Sequence, residues 1–427
     1  MGLGKKRAQK PDEPTAENIT FLDEDDNIFA SGVDAGHRVD PRAQKVFILV
    51  VALIVLYVFA LIVPKNLGET TFQLGTSPEY SLSWFVSDLQ ENIAGLIAVF
   101  TGDSTVYGGT IMYIFRYAVI ALAGAGLALS GAVYQGSFRN ALVSPSTLGV
   151  MNGASLGLML WVVLFMDDEG TQIPWLSQYS NSGTGTPDDP LAYLWTSYGL
   201  AVFSFIGCLL VVALVLFTMR HAGGGTSAIM MIITGQVIGG VIGAINNTVR
   251  YYYVSQNPYG IKAQLLTELQ ISSFYRQFTW IDIVAIAVPL LITFAVVMYL
   301  RQKMMALSLD EAETRTLGID ARRMQMVVVL LCTLLTAIIV SFCGTVGFVG
   351  FLVPHLARRL VGPNFKYLLP ASTVLGAVFV LGAYVLLQMT LGNDYETMVG
   401  MYISIAGAIV FLATALRGKG ASRGFFK

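Results

Sequence analysis

The amino-acid sequence predicts an all-α polytopic membrane protein with about ten transmembrane helices. The chain has 427 residues, of which 55% are hydrophobic and only 12% are charged, and its mean hydropathy is +0.64. A soluble domain carries about 25% charged residues, so roughly half of the usual charge is missing. The 26 Lys and Arg residues balance the 27 Asp and Glu residues, which leaves no global field to attract a polyanion. This composition disfavours a disordered chain, a nucleic-acid-binding protein and an ordinary soluble enzyme.

Ten apolar runs are candidates to cross a hydrocarbon core of about 30 Å. They cover residues 46–63, 113–134, 147–166, 198–219, 228–247, 281–300, 325–342, 347–361, 368–388 and 399–416. The eighth run is the weakest, because it is short, contains Pro354 and ends in Arg358 and Arg359. The runs define a predicted transmembrane domain over residues 46–416. The flanking residues 1–45 and 417–427 are predicted to be tails, the first of them mobile.

The distribution of basic residues predicts that both tails are cytoplasmic. With ten spans, the tails and the loops on their side carry 21 Lys and Arg residues, and the opposite side carries four. Cytoplasmic loops carry the excess of basic residues in membrane proteins. The outer side then holds the long connections 64–110, 167–197 and 248–280. Within the first of them, residues 81–100 place apolar side chains at helical spacing, which predicts a helix at the membrane interface or against the bundle.

Two of the spans carry glycine at every fourth position. Such a stripe lets another backbone approach closely, which is how helices associate in lipid. Packing inside the bundle is the favoured interpretation, with a subunit interface or a pathway wall as the alternatives. The two sets are Gly149, Gly153 and Gly157, and Gly235, Gly239 and Gly243.

Ionisable groups are nearly absent from the middle of the predicted spans, which disfavours a transporter driven by an ion gradient. Carriers coupled to protons or sodium usually keep such a group near mid-membrane. The three His residues lie far apart on polar flanks, and the three Cys residues lie in apolar stretches without CxxC spacing, so no metal site is predicted and the thiols are expected to be buried. The sequence has no GxxxxGK[ST] loop for a nucleotide phosphate. We therefore predict a non-catalytic chain without a cofactor of its own, whose energy source lies in another protein.

A short, well-capped helix is predicted between the sixth and seventh spans, in the stretch MMALSLDEAETRTLGIDARR (304–323). Ser308 and Glu311 form a capping box, acidic side chains load the first turn, and Gly318 is a ready C-cap. The residues alone leave two interpretations open, a solvated connector or a docking helix for a cytoplasmic partner.

Two long stretches resemble the permeases that import iron–siderophores, haem and vitamin B12 with an ATP-binding cassette (ABC) engine. The first is GAGLALSGAVYQGSFRNALVSPSTLGVMNGASLG (124–157). The second is LSLDEAETRTLGIDARRMQ, followed by GTVGFVGFLVPHLARRLVGPNFKYLLP (344–370). A PHxxR segment after a GFVGF run is rarely seen elsewhere, and the similarity extends more weakly from about 111 to 416. The type II ABC importer permease fold of this family has ten spans, in agreement with the count from hydropathy and charge.

The resemblance implies roles for residues on the cytoplasmic side. Residues 308–318 correspond to the coupling helix that inserts into a groove of the ATPase. Its members here are Ser308, Leu309, Asp310, Glu311, Ala312, Glu313, Arg315, Leu317 and Gly318. The cytoplasmic gate corresponds to Asn140 and Leu142, with a second constriction at Thr226 and Ser227. The family's NPL turn is Asn140-Ala141-Leu142 here, which predicts a less rigid turn than one with proline.

On the outer side, arginines of the family pair with acidic residues of a substrate-binding protein. The candidate docking residues here are Arg116, Arg250, Lys262 and Arg276. Where the family often has Asp and Arg, in the ninth span and at its outer end, this chain has Tyr384 and Gln388.

The assembly implied by the resemblance is an importer in a prokaryotic plasma membrane. It would contain this permease with a second copy or a related permease, two cytoplasmic ATPase subunits that bind ATP and Mg²⁺, and an extracytoplasmic substrate-binding protein. The breadth of the family makes an iron–siderophore the predicted cargo, followed by haem and cobalamin. The residues themselves do not select among them. The alternatives are a secondary transporter or channel for a small solute acting without an ATPase, and a membrane scaffold or sensor.

Overall fold

The computed structural model describes residues 40–62, 82–101, 107–166, 190–221, 228–260, 262–263, 265–267, 278–306, 321–391 and 399–417. Apart from Asp40 and Pro41, they belong to one compact unit, Arg42–Lys427. Within these ranges the chain forms eleven α-helices of 13 residues or more. They are α1 (Pro41–Ile62), α2 (Leu82–Thr101), α3 (Tyr107–Ser137), α4 (Val150–Phe165), α5 (Pro190–His221), α6 (Ala228–Gln256), α7 (Trp280–Ala306), α8 (Ala321–Cys343), α9 (Val349–Val361), α10 (Phe365–Leu391) and α11 (Val399–Arg417).

The helices confirm the all-α membrane fold predicted from the sequence. Each of the ten predicted spans falls on a helix, and the predicted segment 81–100 falls on α2, which packs against α3. Among the described residues, seven helices are long and apolar enough to cross a membrane: α1, α3, α5, α6, α7, α8 and α10. Helix α4 and residues Val399–Ile409 of α11 are apolar but shorter.

Helix α9 is the shortest of the described helices, in agreement with the short eighth run of the sequence. It has 13 residues, and at 1.5 Å per residue it is about 20 Å long, which is shorter than a hydrocarbon core of about 30 Å. The reason is a break before it, where Gly344 and Phe348 adopt left-handed φ angles of 69° and 63°. An L-residue such as Phe348 rarely adopts this conformation, so α8 cannot continue into α9 as one helix.

Helix α3 lies at the centre of the fold, where it packs against α2, α7, α8, α9 and α10. Two of these contacts bring backbones together without intervening side chains. A Cβ atom added at Gly124 would overlap the carbonyl oxygen of Gly376 on α10, and one added at Gly131 would overlap the carbonyl oxygen of Gly350 on α9. Close approach of this kind is typical of helix packing in lipid, where van der Waals contact drives association.

Helices α4, α5 and α6 pack together beside α8 in the same way. A Cβ atom at Gly153 would lie 2.6 Å from the carbonyl oxygen of Gly207 on α5, and one at Gly149 would lie 2.8 Å from that of Gly235 on α6. Internal packing, the favoured interpretation of the glycine stripes, is therefore confirmed at these positions. Gly243 is different, because a Cβ atom there would meet nothing within 4 Å.

Helix α1 runs along the outside of the bundle. The Tyr57 hydroxyl donates a 2.8 Å hydrogen bond to the Ile114 carbonyl on α3, and the Lys45 ammonium donates a 2.7 Å hydrogen bond to the Leu360 carbonyl on α9. About half of its other side chains are apolar and exposed, as Phe47 and Ile54 are. A helix that is apolar around most of its circumference suits contact with lipid.

Replacing glycine at a packed and at an open position tests this account of the bundle. We expect Gly157→Ala to destabilise the subunit by about 1–3 kcal/mol, the usual cost of overpacking, because the new Cβ atom would overlap the Phe203 carbonyl oxygen. Gly240→Ala on α6 is the matched control, since its Cβ atom would meet nothing within 4 Å. The measurement is the thermal unfolding midpoint of the isolated subunit in detergent. Equal midpoints for the two variants would contradict backbone contact at Gly157.

Candidate functional site

Residues 138–149 connect α3 to α4 and contain two of the predicted gate residues. We call them the α3–α4 segment. They form turns rather than a helix, yet Val143, Ser144 and Leu148 are buried. Buried backbone groups outside helices must find hydrogen-bond partners, and side chains of the segment itself supply several of them.

The predicted gate residues Asn140 and Leu142 are joined in one tight turn. The Asn140 side-chain oxygen accepts a 2.8 Å hydrogen bond from the Leu142 backbone N–H, and the Asn140 carbonyl accepts one of 3.2 Å from the Val143 N–H. This is an Asx turn, in which a side chain replaces a backbone partner. The Leu142 side chain is 43% exposed. The turn therefore lacks proline, but the Asn140 side chain restrains it. The resemblance to the family did not predict this hydrogen bond.

A second cluster of hydroxyl groups organises the rest of the α3–α4 segment. The Thr147 hydroxyl accepts a 2.8 Å hydrogen bond from the Ser144 N–H, and it lies 3.0 Å and 3.2 Å from the carbonyl oxygens of Ser144 and Leu142. The Ser144 and Ser146 hydroxyls lie 2.9 Å apart. These residues are not among those predicted from the sequence. The signal that could have identified them is the run of Ser and Thr between two spans, since such side chains bond to nearby backbone.

Helix α6 packs directly on this segment. A Cβ atom at Gly235 would lie 2.7 Å from the Thr147 carbonyl oxygen, and the Gln236 side-chain nitrogen lies 3.5 Å from the same oxygen. The second predicted constriction, Thr226 and Ser227, immediately precedes α6 and lies outside the described residues. Helix α6 follows the predicted constriction at Thr226 and Ser227. It packs against the α3–α4 segment, which contains the other predicted constriction at Asn140 and Leu142.

The predicted coupling helix also lies outside the described residues. Helix α7 ends at Ala306 and α8 begins at Ala321, so residues 308–318 belong to the connection between them. The roles of Ser308, Leu309, Asp310, Glu311, Ala312, Glu313, Arg315, Leu317 and Gly318 stay predictions.

The candidate docking cations differ in how far they are exposed. Arg116 is only 8% exposed, and its guanidinium carbon lies 5.3 Å from the centre of the Tyr113 ring. Arg250 and Lys262 are partly exposed, and the Lys262 ammonium lies 5.7 Å from the Tyr253 ring centre. Arg276 lies outside the described residues. Burial within the helix packing does not suit Arg116 for docking, so Arg250 and Lys262 are the better placed of the described candidates.

Tyr384 and Gln388 are the two positions at which this chain departs from the family it resembles. They form a buried contact at the end of α3 that also carries Arg116. Gln388 on α10 accepts a 3.1 Å hydrogen bond from the Tyr117 hydroxyl, and the rings of Tyr117 and Tyr384 pack edge to face with centres 5.8 Å apart. All three side chains are buried. Tyr384 and Gln388 therefore link α10 to α3 and do not face a partner.

The described part of the chain contains neither a disulfide nor a group of metal-ligating side chains. Cys208, Cys332 and Cys343 are buried and outside any disulfide, which confirms the predicted burial of the thiols. Among the described residues, no three His, Cys, Asp or Glu side chains are grouped so that they could hold a metal ion.

The sequence of most of the chain matches one transport family. A family profile described as the FecCD transport family matches residues 81–417. That range includes every predicted site residue and all of the helices except α1.

Curated relatives of the chain are permeases with different named cargoes. It is 30% identical to the Fe(3+)-citrate import system permease of Bacillus subtilis, over 70% of this chain and 78% of that protein. It is 28% identical to the cobalamin import system permease of Halobacterium salinarum, over 70% of each chain. It is 29% identical to the molybdate import system permease of Haemophilus influenzae, over 67% of this chain and 74% of that protein.

A solved structure has the same fold. It is an inward-facing conformation of a metal-chelate type ABC transporter, which superposes with a TM-score of 0.61 over 88% of this chain and 99% of that chain. The sequences are 24% identical, so the likeness is one of fold.

The Asx turn can be tested by exchanging its acceptor. Asn140→Ala removes the oxygen that accepts from the Leu142 N–H, whereas Asn140→Asp keeps an oxygen in place. Because a net hydrogen bond is worth about 0.5–1.5 kcal/mol, we expect hydrogen exchange at the Leu142 amide to accelerate about two- to tenfold in Asn140→Ala and to stay slow in Asn140→Asp. Hydrogen–deuterium exchange with mass spectrometry provides the measurement. Unchanged exchange in Asn140→Ala would show that the side chain does not hold the turn.

Proposed function

The chain belongs to the FecCD transport family and is the permease subunit of an ABC importer, and we propose that it carries an iron–siderophore complex into the cytoplasm. The observation that carries the proposal is the family match over residues 81–417, together with a 30% identical relative that is named for Fe(3+)-citrate. The sequence contains no GxxxxGK[ST] loop, so ATP with Mg²⁺ is bound and hydrolysed by separate cytoplasmic subunits.

The chemistry shared by two of the named cargoes favours a metal chelate. Iron citrate and cobalamin are bulky complexes in which organic ligands surround a metal, whereas molybdate is a small oxyanion. A bulky chelate needs a wide path with few charges, because strong electrostatic binding would hold it in place. An iron–siderophore complex fits this requirement and the iron-citrate relative, with haem and cobalamin as the next candidates.

One face of α6 supports a path of this kind. Gln236, Gly240, Gly243 and Asn247 follow one another at helical spacing, and Cβ atoms at both glycines would meet nothing within 4 Å. Gln236 and Asn247 are exposed. Uncovered side-chain amides are unfavourable in hydrocarbon, so this face is better placed against water and a second permease than against lipid. We propose that it lines the path between two permease subunits.

Energy would enter through residues 308–318. When the ATPase subunits close on ATP, they would move this coupling helix and with it α7 and α8, which it joins. The permease then needs only two states of similar free energy, one open outward and one open inward. Asn140 and Leu142, with Thr226 and Ser227, would close the cytoplasmic end of the path.

The proposed orientation places both termini in the cytoplasm of a prokaryotic cell, with the permease in the plasma membrane. The basis is the excess of Lys and Arg on the side of the termini. A substrate-binding protein would then dock on the outer surface, where Arg250, Lys262 and Arg276 offer positive charge.

Uptake by reconstituted transporter tests the function and the cargo together. The permease with its ATPase subunits is placed in liposomes, the binding protein is added, and accumulation of a siderophore complex with radioactive iron is measured. We expect accumulation only when ATP is supplied on the cytoplasmic side. Excess cobalamin or molybdate should not compete. Preferred uptake of either compound would overturn the iron–siderophore assignment, and uptake driven by an ion gradient without ATP would identify a secondary transporter.

A charge-reversal variant provides the control for energy coupling. Combined Glu311→Lys and Glu313→Lys should abolish ATP-driven uptake and the stimulation of ATP hydrolysis by substrate, because it reverses the charge at the start of the predicted coupling helix. Glu91→Lys, at an exposed position on α2, should leave both unchanged. Normal coupling in the double variant would remove residues 308–318 from the ATPase contact.

Cross-linking tests whether the α6 face meets a second copy. The native cysteines are buried, so a single introduced cysteine is the reactive thiol. We expect Asn247→Cys to give a covalent dimer with a short thiol-reactive cross-linker in native membranes. Leu291→Cys is the control, because Leu291 lies on α7 and is 64% exposed, and it should stay monomeric. A dimer through position 291 and none through 247 would place the pathway on another face.

A further inference from the structure

We propose that Thr147 is a positioning residue, which transmits movement of α6 to the Asn140–Leu142 turn. The inference rests on the proposed function, in which that turn closes the cytoplasmic end of the path. Three sets of contacts carry it: those of the Thr147 hydroxyl, those of the Thr147 carbonyl, and the packing of the α3–α4 segment against α9.

The hydroxyl of Thr147 ties the end of the α3–α4 segment to its beginning. It accepts from the Ser144 N–H at 2.8 Å, and its single proton can be donated to the Ser144 carbonyl at 3.0 Å or the Leu142 carbonyl at 3.2 Å. The Ser144 hydroxyl, 3.2 Å away, completes the group. Leu142 belongs to the Asn140–Leu142 turn. The Thr147 side chain, near the start of α4, therefore restrains a turn that ends five residues earlier.

The carbonyl oxygen of Thr147 packs directly against the backbone of α6 at Gly235. A Cβ atom at Gly235 would lie 2.7 Å from this oxygen and 2.8 Å from the Leu148 Cα atom, and a Cβ atom at Gly149 would lie 2.8 Å from the Gly235 carbonyl oxygen. Contacts between backbones cannot relax by rotation of a side chain. A displacement of α6 along this contact therefore displaces residues 147–149.

The α3–α4 segment also packs against α9. Pro145 is buried, and its Cδ atom lies 3.3 Å from the position of a Cβ atom at Gly350 of α9. The Gln135 side chain donates a 2.9 Å hydrogen bond to the Phe351 carbonyl, which joins the end of α3 to the same part of α9. Packed interiors transmit displacements because they contain few voids. The segment contacts both α6 and α9, so motion of α6 reaches the turn through the hydrogen bonds of Thr147.

Two substitutions at Thr147 separate this role from simple packing. Thr147→Val keeps the shape of the side chain and removes its hydrogen bonds, whereas Thr147→Ser keeps the hydroxyl. In reconstituted transporter, we expect Thr147→Val to raise the number of ATP molecules hydrolysed per chelate imported about three- to tenfold, the effect of losing a net hydrogen bond. Thr147→Ser should stay within about twofold of the wild type. Parallel losses of hydrolysis and uptake at an unchanged ratio would show a purely structural role and overturn the proposal, as would equal ratios in the two variants.

A double-mutant cycle tests whether α6 acts through the same contact. Gly235→Ala inserts a Cβ atom against the Thr147 carbonyl oxygen and should raise the same ratio. If both changes break one connection, the combined variant should raise it by less than the product of the single effects. A combined effect equal to that product would mean that α6 and Thr147 act independently, which would overturn the proposal.

A labelling experiment separates this inference from the proposed function and needs no transport. Leu142→Cys is labelled in inside-out membrane vesicles with a charged maleimide, in the Thr147→Val, Thr147→Ser and unchanged backgrounds. We expect the labelling rate to change at least about threefold with Thr147→Val and to remain unchanged with Thr147→Ser. That result together with no chelate uptake by the wild type would reject the cargo and keep the positioning role. Equal labelling rates in all three backgrounds would reject the positioning role whatever the transport result.

Discussion

Close contact between helix backbones holds this bundle together. Helix α3 can hold α9 and α10 against itself because glycine stands where the backbones meet, at Gly131 and Gly350 and at Gly124 and Gly376. The same device joins α4 to α5 at Gly153 and Gly207. In lipid no hydrophobic force draws apolar helices together, so dense van der Waals contact must do so. The helices therefore approach each other most closely where glycines face each other.

The breaks between helices satisfy a second requirement, because buried backbone groups need partners wherever the helix ends. In the α3–α4 segment those partners are the side chains of Asn140, Ser144 and Thr147, and between α8 and α9 the chain turns through left-handed Gly344 and Phe348. These breaks shorten α4 and α9 and place irregular backbone inside the protein, where it is tolerated. Short helices joined by hydrogen-bonded turns can shift against the helices around α3, which suits the proposed cycle between two states.

In the proposed importer this chain supplies the transport path, and other subunits supply the energy and select the cargo. Its described interior contains no grouped metal ligands, and its α6 face presents amides and glycines without charge. Such a surface can pass a bulky chelate without retaining it. Energy would then come from the ATPase subunits and selection of the cargo from the binding protein, while the permease supplies the path and the mechanical connection between them.

The amino-acid sequence alone predicted the order of the helices that the structure describes, because apolar runs and helical spacing mark each of them. It also indicated the family, since the stretches 124–157 and 344–370 are long and specific. Hydropathy does not say what a residue meets in space, so the packing of the helices was needed to find that Arg116 is buried, that Gly149 packs while Gly243 is open, and that a break at Phe348 limits α9 to 13 residues. The role proposed for Thr147 depends on the same information. Its hydroxyl is ordinary in sequence, and its position against α6 exists only when distant helices meet.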